Sequence, residues 1–203
     1  MGHGAEAVAG FDVASRHHRA KFGMWLFLAS EIMFFTGFIG AFIALYNATP
    51  TAAQDAQNLS WKLALVNTVV LITSSLTMAL AVAASKRGHN GQLQLFLILT
   101  FLLACTFMVI KMIEYKTKIS HGMGPSASPF FSAYFLLTGF HGLHVLGGMV
   151  AIWHLLAYAF AGTYTKEYNI PIEITGLYWH FVDIVWIFLF PMLYLLSPGR
   201  IHW

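Results

Sequence analysis

The sequence has 203 residues, of which 58% are hydrophobic and 9% are charged, whereas a soluble globular domain carries about 25% charged residues. Its mean hydropathy is +0.68 and its formal net charge is +3. The few basic residues lie in short segments beside apolar runs and form no single patch, so the composition excludes nucleic acid as a partner. It predicts an integral membrane protein.

Five apolar stretches are long enough to cross a bilayer, which requires about 20 residues of helix. They cover residues 22–46, 61–84, 93–113, 130–160 and 172–196. Because hydrocarbon gives backbone groups no hydrogen-bond partner, each stretch is predicted to be a helix, and the short connections make successive helices antiparallel. The predicted fold is all-α, a polytopic bundle of five transmembrane helices within residues 22–203, preceded by an N-terminal tail at 1–21.

An odd number of crossings places the two termini on opposite sides of the membrane. Arg16, Arg19 and Lys21 precede the first span, and Lys86 and Arg87 follow the second. These residues favour a cytoplasmic N-terminus and a periplasmic C-terminus. Over the whole chain the difference is small, with six basic residues inside and five outside, and the five are Lys62, Lys111, Lys116, Lys118 and Arg200. The first residues lack the short apolar core and cleavage site of a signal peptide, so we expect the N-terminus to be retained.

Glu31 is an acidic residue near the middle of the first span. It lies nine residues into the span, which corresponds to a depth of about 13 Å. A charge at that depth costs about 2.5 to 3.5 kcal/mol even on the lenient insertion scale, so the carboxyl is expected to face the bundle interior, to be protonated or to have a partner. It either handles protons or organises lipid, or it forms a hydrogen bond that only fixes helix packing.

The last span carries a second polar group in "LYWHFVDIVWIFLF". His180 and Asp183 lie one turn apart, so they can hydrogen-bond each other and either steer a proton or pin this helix to a neighbour. Tyr178 and Trp179 precede them, and we expect these two rings at an interface or in contact with lipid. Pro191 predicts a bend near the outer end of the span.

The fourth span contains His141 and His144, which lie about 4.5 Å apart along the helix and about 60° apart around it. His154 lies about 15 Å further along the helix, so one metal cannot bind all three. A catalytic metal usually needs three protein ligands. A haem that lies between the fourth and fifth spans, with one ligand from these histidines and His180 as the other, stays open as an alternative. The sequence predicts no catalytic residue and no metal or cofactor ligand in this chain.

The glycines around these histidines suggest a simpler role for the imidazoles. Small residues let a second helix approach closely, so an imidazole can reach a carboxyl on that helix. His141 and His144 lie near the depth of Glu31 when the two spans are counted from opposite faces. We therefore predict a contact from Glu31 to His141 or His144 within an intramembrane polar network. Glu114 and Tyr115 belong to a charged collar at the end of the third span, which predicts an interfacial anchor or a docking contact.

Four motifs in this order resemble subunit III of the haem-copper respiratory oxidases in its short five-helix form. They are "SEIMFF" with Glu31, "EYK" at 114–116, the segment 121–149 and "YWHFVDIVWIFLF" at 178–190. Longer members of that family carry two additional N-terminal helices with a lipid-filled cleft beside them. This sequence begins where the larger bundle of those proteins begins.

The resemblance implies a subunit without haem or copper, which packs mainly on subunit I, belongs to a complex with subunit II and binds phospholipid. The haems and the copper are then expected in the partner subunits, where cytochrome c or quinol acts, with cytochrome c favoured. Subunits of this family support proton uptake and protect the enzyme during turnover, and Glu31 matches their intramembrane carboxyl. A bacterial inner membrane is the expected location.

Four alternatives remain open from the sequence. Two are close relatives of the favoured interpretation, namely subunit III of a quinol oxidase and the related accessory subunit of a nitric oxide reductase. A haem-bearing membrane cytochrome would require paired histidines that converge between helices. A small transporter or channel would require a continuous polar file through the bundle.

Overall fold

The computed structural model describes the backbone of residues 2–195 and the side chains of residues 15 and 17–194. The helices are α1 (Gly2–Ala48), α2 (Ala52–Gln57), α3 (Trp61–Arg87), α4 (Asn90–Ser120), α5 (Pro129–Phe160) and α6 (Ile170–Phe190), followed by a π-helical segment, Pro191–Leu195. Five helical segments are long and apolar enough to span a membrane: His17–Ala48, Trp61–Arg87, Asn90–Ser120, Pro129–Phe160 and Ile170–Tyr194. The predicted fold class, an all-α bundle of five transmembrane helices, is confirmed.

The helices extend beyond the apolar stretches from which they were predicted. α1 begins at Gly2, so its backbone is already helical in the segment that the sequence assigned to an N-terminal tail. α2 is a short helix inside the first connection, where no helix was expected. Its Ala52 and Ala56 are buried, and Asp55 accepts a hydrogen bond of 2.7 Å from the Ser128 hydroxyl. This contact holds the first connection against the start of α5.

Local signals in the sequence explain several helix ends. Ser128 caps α5 by accepting a hydrogen bond from the amide of Phe131, and Pro129 occupies the first turn, where its missing N–H is not needed. α3 ends at Arg87, and Gly88 follows it with a φ of 76°, in the left-handed region that favours glycine. At Pro191, where the sequence predicts a bend, the α-helix gives way to the π-helical segment. Proline removes one backbone hydrogen bond and crowds the preceding turn, which favours such a change.

α5 and α6 lie at the centre of the bundle. α3 and α4 form an antiparallel hairpin on one side of them, and α1 packs against α5 and α6 on the other side. Half of the residues in the most apolar part of the last span are buried inside the bundle, whereas in α1 the corresponding fraction is 17%. The rest of this chain therefore leaves much of the α1 surface uncovered, with two grooves beside it.

Candidate functional site

Glu31 and His144 form a hydrogen-bonded pair that joins α1 to α5. Glu31 Oε2 lies 2.9 Å from His144 Nε2, and the two side chains are 19% and 17% exposed. The rings of Phe34 and Phe35 contact the imidazole, with centroid separations of 6.5 Å and 5.0 Å. The sequence predicts that Glu31 contacts either His141 or His144, and in the structure the partner is His144.

The second nitrogen of His144 determines how many protons the pair holds. His144 Nδ1 lies 2.8 Å from the backbone carbonyl of Phe140, and because a carbonyl oxygen only accepts, Nδ1 carries a hydrogen. The hydrogen bond between Nε2 and the carboxyl of Glu31 then needs a single proton, which resides on one atom or the other. The pair is either two neutral groups or a carboxylate beside an imidazolium, and its net charge is zero in both forms.

The pair lies in the wall of a groove on the surface of the bundle, beside α1. The groove has a volume of about 350 Å³. Its lining consists of Phe27, Glu31, Phe34, Phe140, Leu143, His144 and Tyr178. The Tyr178 hydroxyl donates a hydrogen bond of 2.9 Å to the backbone carbonyl of His144. This groove, which we call the Glu31 groove, places one titratable pair beside apolar side chains that can face lipid.

His141, the other candidate partner of Glu31, points elsewhere. Its side chain is fully buried and packs against Phe107 and Trp186, with ring centroids 5.8 Å and 5.0 Å away. Neither ring nitrogen has a hydrogen-bond partner within the described residues. The cause is the rotation of about 60° between positions 141 and 144 of one helix, which directs His141 toward α4 and α6 while His144 faces α1.

The predicted hydrogen bond between His180 and Asp183 is absent. His180 Nδ1 instead lies 2.7 Å from the hydroxyl of Ser75 on α3. Asp183 is 3% exposed, and its carboxyl oxygens have no hydrogen-bond partner in the part of the chain that the structure describes. Ser75 is a polar neighbour of this carboxyl as well. Adjacent turns bring the two residues to one side of α6, but His180 faces a groove, whereas Asp183 faces the interior.

Trp179 was expected at an interface or in contact with lipid, and this expectation is wrong. The ring is fully buried, and its Nε1 donates a hydrogen bond of 3.1 Å to the Ser74 hydroxyl on α3. It lies against Gly148 of α5, where a Cβ atom would come within 2.7 Å of the ring. The close approach of α5 and α6 therefore encloses Trp179, while the neighbouring Tyr178 lines the Glu31 groove.

The charged collar expected at the end of α4 is instead a buried cluster. Glu114 is 4% exposed and pairs with Lys111 at 3.0 Å and with Lys118 at 3.8 Å. The hydroxyls of Tyr134 and Tyr194 donate to Glu114 Oε1 at 3.0 Å and 2.9 Å. Positions 111, 114 and 118 have the spacing of one helical face, and this face points into the bundle.

Other residues complete what we call the Glu114 cluster. Lys111 lies over the ring of Trp186, 4.6 Å from its centroid, which adds a cation–π contact. Tyr115, expected to share the collar, is half-buried and hydrogen-bonds Thr138 on α5. Sequence reasoning missed Lys111, Tyr134 and Tyr194 as partners of Glu114. The spacing of 111 and 114 was a usable signal, but the two tyrosines lie on other helices and left no signal in the sequence.

The three midspan histidines of α5 and α6 contact different groups. His141, His144 and His180 have separate neighbours, namely aromatic rings, Glu31 and Ser75. Among the described residues, no three side chains of His, Cys, Asp or Glu come close enough together to hold a metal ion.

A sequence model of the family described as cytochrome c oxidase subunit III matches residues 5–198. The chain belongs to the cytochrome c oxidase subunit III family. Subunits of this family are components of an oxidoreductase complex, so this protein is an integral membrane subunit that assembles with other oxidase subunits.

Individual relatives include subunits of two kinds of oxidase. The chain is 36% identical to a probable cytochrome c oxidase subunit 3 of Mycobacterium bovis, over 94% of this chain and 97% of that one. It is 34% identical to a cytochrome bo(3) ubiquinol oxidase subunit 3 of Pseudomonas aeruginosa, over 87% and 84% of the two chains. It is 33% identical to a cytochrome c oxidase subunit 3 of Alkalihalophilus pseudofirmus, over 87% and 86%.

Proposed function

We propose that this chain is the noncatalytic subunit III of a proton-pumping terminal oxidase in a bacterial inner membrane, with a cytoplasmic N-terminus and a periplasmic C-terminus. It packs mainly on subunit I within a complex that also holds subunit II. The haems and the copper belong to those partner subunits, and this chain supports proton uptake and the stability of the complex during turnover. Each midspan histidine has its own hydrogen bond or ring contact within this chain. These contacts support a subunit that leaves the redox cofactors to its partners.

The observation that carries the proposal is the Glu31–His144 pair. Its two atoms lie 2.9 Å apart in a groove whose other walls are mostly apolar. Because the pair shares one proton, the proton moves between the two residues without changing the net charge, which avoids the cost of a lone charge inside the membrane. A phospholipid in the Glu31 groove would keep bulk water away from the pair. Proton exchange would then be limited to the two side chains of the pair.

For the electron donor, we propose cytochrome c. Two of the three relatives described above are named as subunits of cytochrome c oxidases. The competing candidate is quinol, which the similarity to the Pseudomonas aeruginosa ubiquinol oxidase subunit supports. Oxygen consumption by the purified complex with reduced cytochrome c or with a quinol distinguishes the two donors directly.

The Glu31→Gln substitution tests the role of the pair, because an amide has the size of the carboxyl but does not exchange a proton with His144. We expect an unchanged haem spectrum and initial rate, with fewer turnovers before the purified complex loses activity. The glutamine amide can still donate a hydrogen bond to His144 Nε2, and even the loss of one interhelical hydrogen bond is worth only about 0.6 kcal/mol, so thermal stability should change little. The measurement is oxygen uptake followed until the activity decays.

Ser30→Ala is the matched control. Ser30 is the neighbouring exposed polar residue of α1, and its hydroxyl bonds only the backbone carbonyl of Phe27 within the described residues. This variant should match the wild-type lifetime. A Glu31→Gln complex with the wild-type lifetime would contradict the proposed role of the pair, and loss of haem from that complex would contradict the assignment of this chain as noncatalytic.

A further inference from the structure

A second groove runs along the other side of α1, between α1 and α6. It has a volume of about 580 Å³ and shares no lining residue with the Glu31 groove. Its α1 wall extends from Trp25 to Ile39 and its α6 wall from Leu177 to Phe188. Almost all of the lining side chains are apolar, with His180 and Thr36 as the exceptions. We call it the α1/α6 groove.

The α1/α6 groove is long enough for a lipid acyl chain. The α1 residues that line it run from Trp25 to Ile39, and the fourteen steps between these two residues correspond to about 21 Å of helix. One leaflet contributes about half of a hydrocarbon core that is about 30 Å thick. The groove therefore accommodates an acyl chain that crosses one leaflet.

One end of the α1/α6 groove leads to a charged site. A neighbouring pocket of about 360 Å³ shares Trp25, Leu177 and His180 with the groove and also contains Lys21, Lys86 and Glu173. Those three charged residues come from α1, α3 and α6, and all lie at the end of the bundle where the first span begins. The apolar groove and the charged pocket are therefore continuous.

The charged pocket carries more positive than negative charge. Glu173 Oε2 lies 2.6 Å from Lys21 Nζ, and Glu173 Oε1 pairs with Lys86 Nζ. Glu173 is 11% exposed, whereas the two lysine side chains are 41% and 54% exposed. Each ammonium has three N–H donors, and the single carboxylate takes up only part of this capacity. The exposed amines are available to an anionic group that arrives from the membrane surface.

We propose that the α1/α6 groove and its charged pocket bind one anionic phospholipid, with an acyl chain between α1 and α6 and the phosphate at Lys21 and Lys86. An apolar groove that ends in a net positive charge at the membrane surface matches an amphiphile with an anionic head. The bound lipid would cover exposed apolar surface of α1, the least buried of the five spans. The site is separate from the Glu31 groove, so its test and the test of Glu31 succeed or fail independently.

The test uses the intact oxidase complex, purified through a tag on another subunit. The complex is placed in nanodiscs that contain equal amounts of phosphatidylglycerol and phosphatidylcholine, and is then extracted with mild detergent. Mass spectrometry counts the lipids that stay bound. We expect the wild-type complex to retain phosphatidylglycerol in preference to phosphatidylcholine.

Two variants separate the contribution of charge from that of the groove. Removing one basic residue near the membrane surface lowers affinity for an anionic lipid roughly five-fold, so Lys21→Gln with Lys86→Gln should abolish the preference for phosphatidylglycerol. Ile184→Trp fills the groove from an exposed position and should reduce retention while both lysines stay in place. The matched control, Lys62→Gln with Lys116→Gln, changes two exposed lysines outside the pocket.

Each outcome either supports the proposed lipid site or overturns it. Loss of the preference in the lysine variant, together with reduced retention in Ile184→Trp and wild-type behaviour in the control, supports it. Unchanged phosphatidylglycerol retention in the lysine variant or in Ile184→Trp overturns it. A density map of the complex that shows a partner's transmembrane helix in the α1/α6 groove also overturns it. If the lysine variant does not assemble, lipid retention in Ile184→Trp alone decides between these outcomes.

Discussion

Glu114→Gln is expected to lower the free energy of unfolding by about 3–5 kcal/mol, because it leaves buried lysines beside a neutral amide. In the wild type, the carboxylate pairs with Lys111 at 3.0 Å and accepts hydrogen bonds from Tyr134 and Tyr194. The side chains of Lys111 and Glu114 are only 8% and 2% exposed, so solvent screens the interaction weakly. Thermal unfolding of the purified complex, followed through release of this subunit, measures the effect.

Lys116→Gln is the control for this prediction. Lys116 lies two positions from Glu114 on α4, and its side chain is exposed, so its replacement should change stability by less than about 0.5 kcal/mol. If Glu114→Gln and Lys116→Gln unfold alike, the Glu114 cluster does not hold the end of the bundle together.

Gly148→Ala is expected to destabilise the packing of α5 against α6 by about 1–3 kcal/mol, the usual range for overpacking a dense interior. The added Cβ would lie 2.7 Å from two ring atoms of Trp179. That ring is fully buried and is held by its hydrogen bond to Ser74, so it has little room to move. The measurement is again thermal release of the subunit from the complex.

Gly142→Ala provides a close comparison on the same helix. A Cβ at Gly142 meets no atom within 4 Å, and alanine is the better helix former by about 0.8–1.0 kcal/mol. We therefore expect Gly142→Ala to be neutral or stabilising. Equal destabilisation by the two substitutions would show that Trp179 is not the cause.

The sequence was sufficient for the fold class because hydrocarbon leaves a long apolar segment few alternatives to a helix. It was also sufficient to narrow the partner of Glu31 to His141 or His144, since counting residues along two helices gives the depth of each side chain, but it did not choose between the two. It was insufficient to predict which groups surround His141, Asp183, Trp179 and Glu114. Counting residues along a helix gives the depth of these side chains. Which neighbouring helix each side chain faces depends on how the helices pack, and the residue count does not give this.

The Glu114 cluster shows this limit most clearly. Lys111 and Lys118 were counted among the charges on the outer side of the membrane, although their spacing with Glu114 places all three on one helical face. The structure buries that face against Tyr134 of α5 and Tyr194 of the π-helical segment. Because the spans are apolar almost all round, no periodicity marked which face is inside, and only the assembled bundle identified it.

In the proposed function, this chain uses its buried polar side chains for helix packing and proton exchange and leaves redox chemistry to its partner subunits. The most direct test is the haem and copper content of the oxidase complex before and after this subunit is stripped away with detergent. We expect the same amounts of haem and copper per subunit I in both preparations. Loss of haem or copper in proportion to the subunit removed would contradict this division of roles.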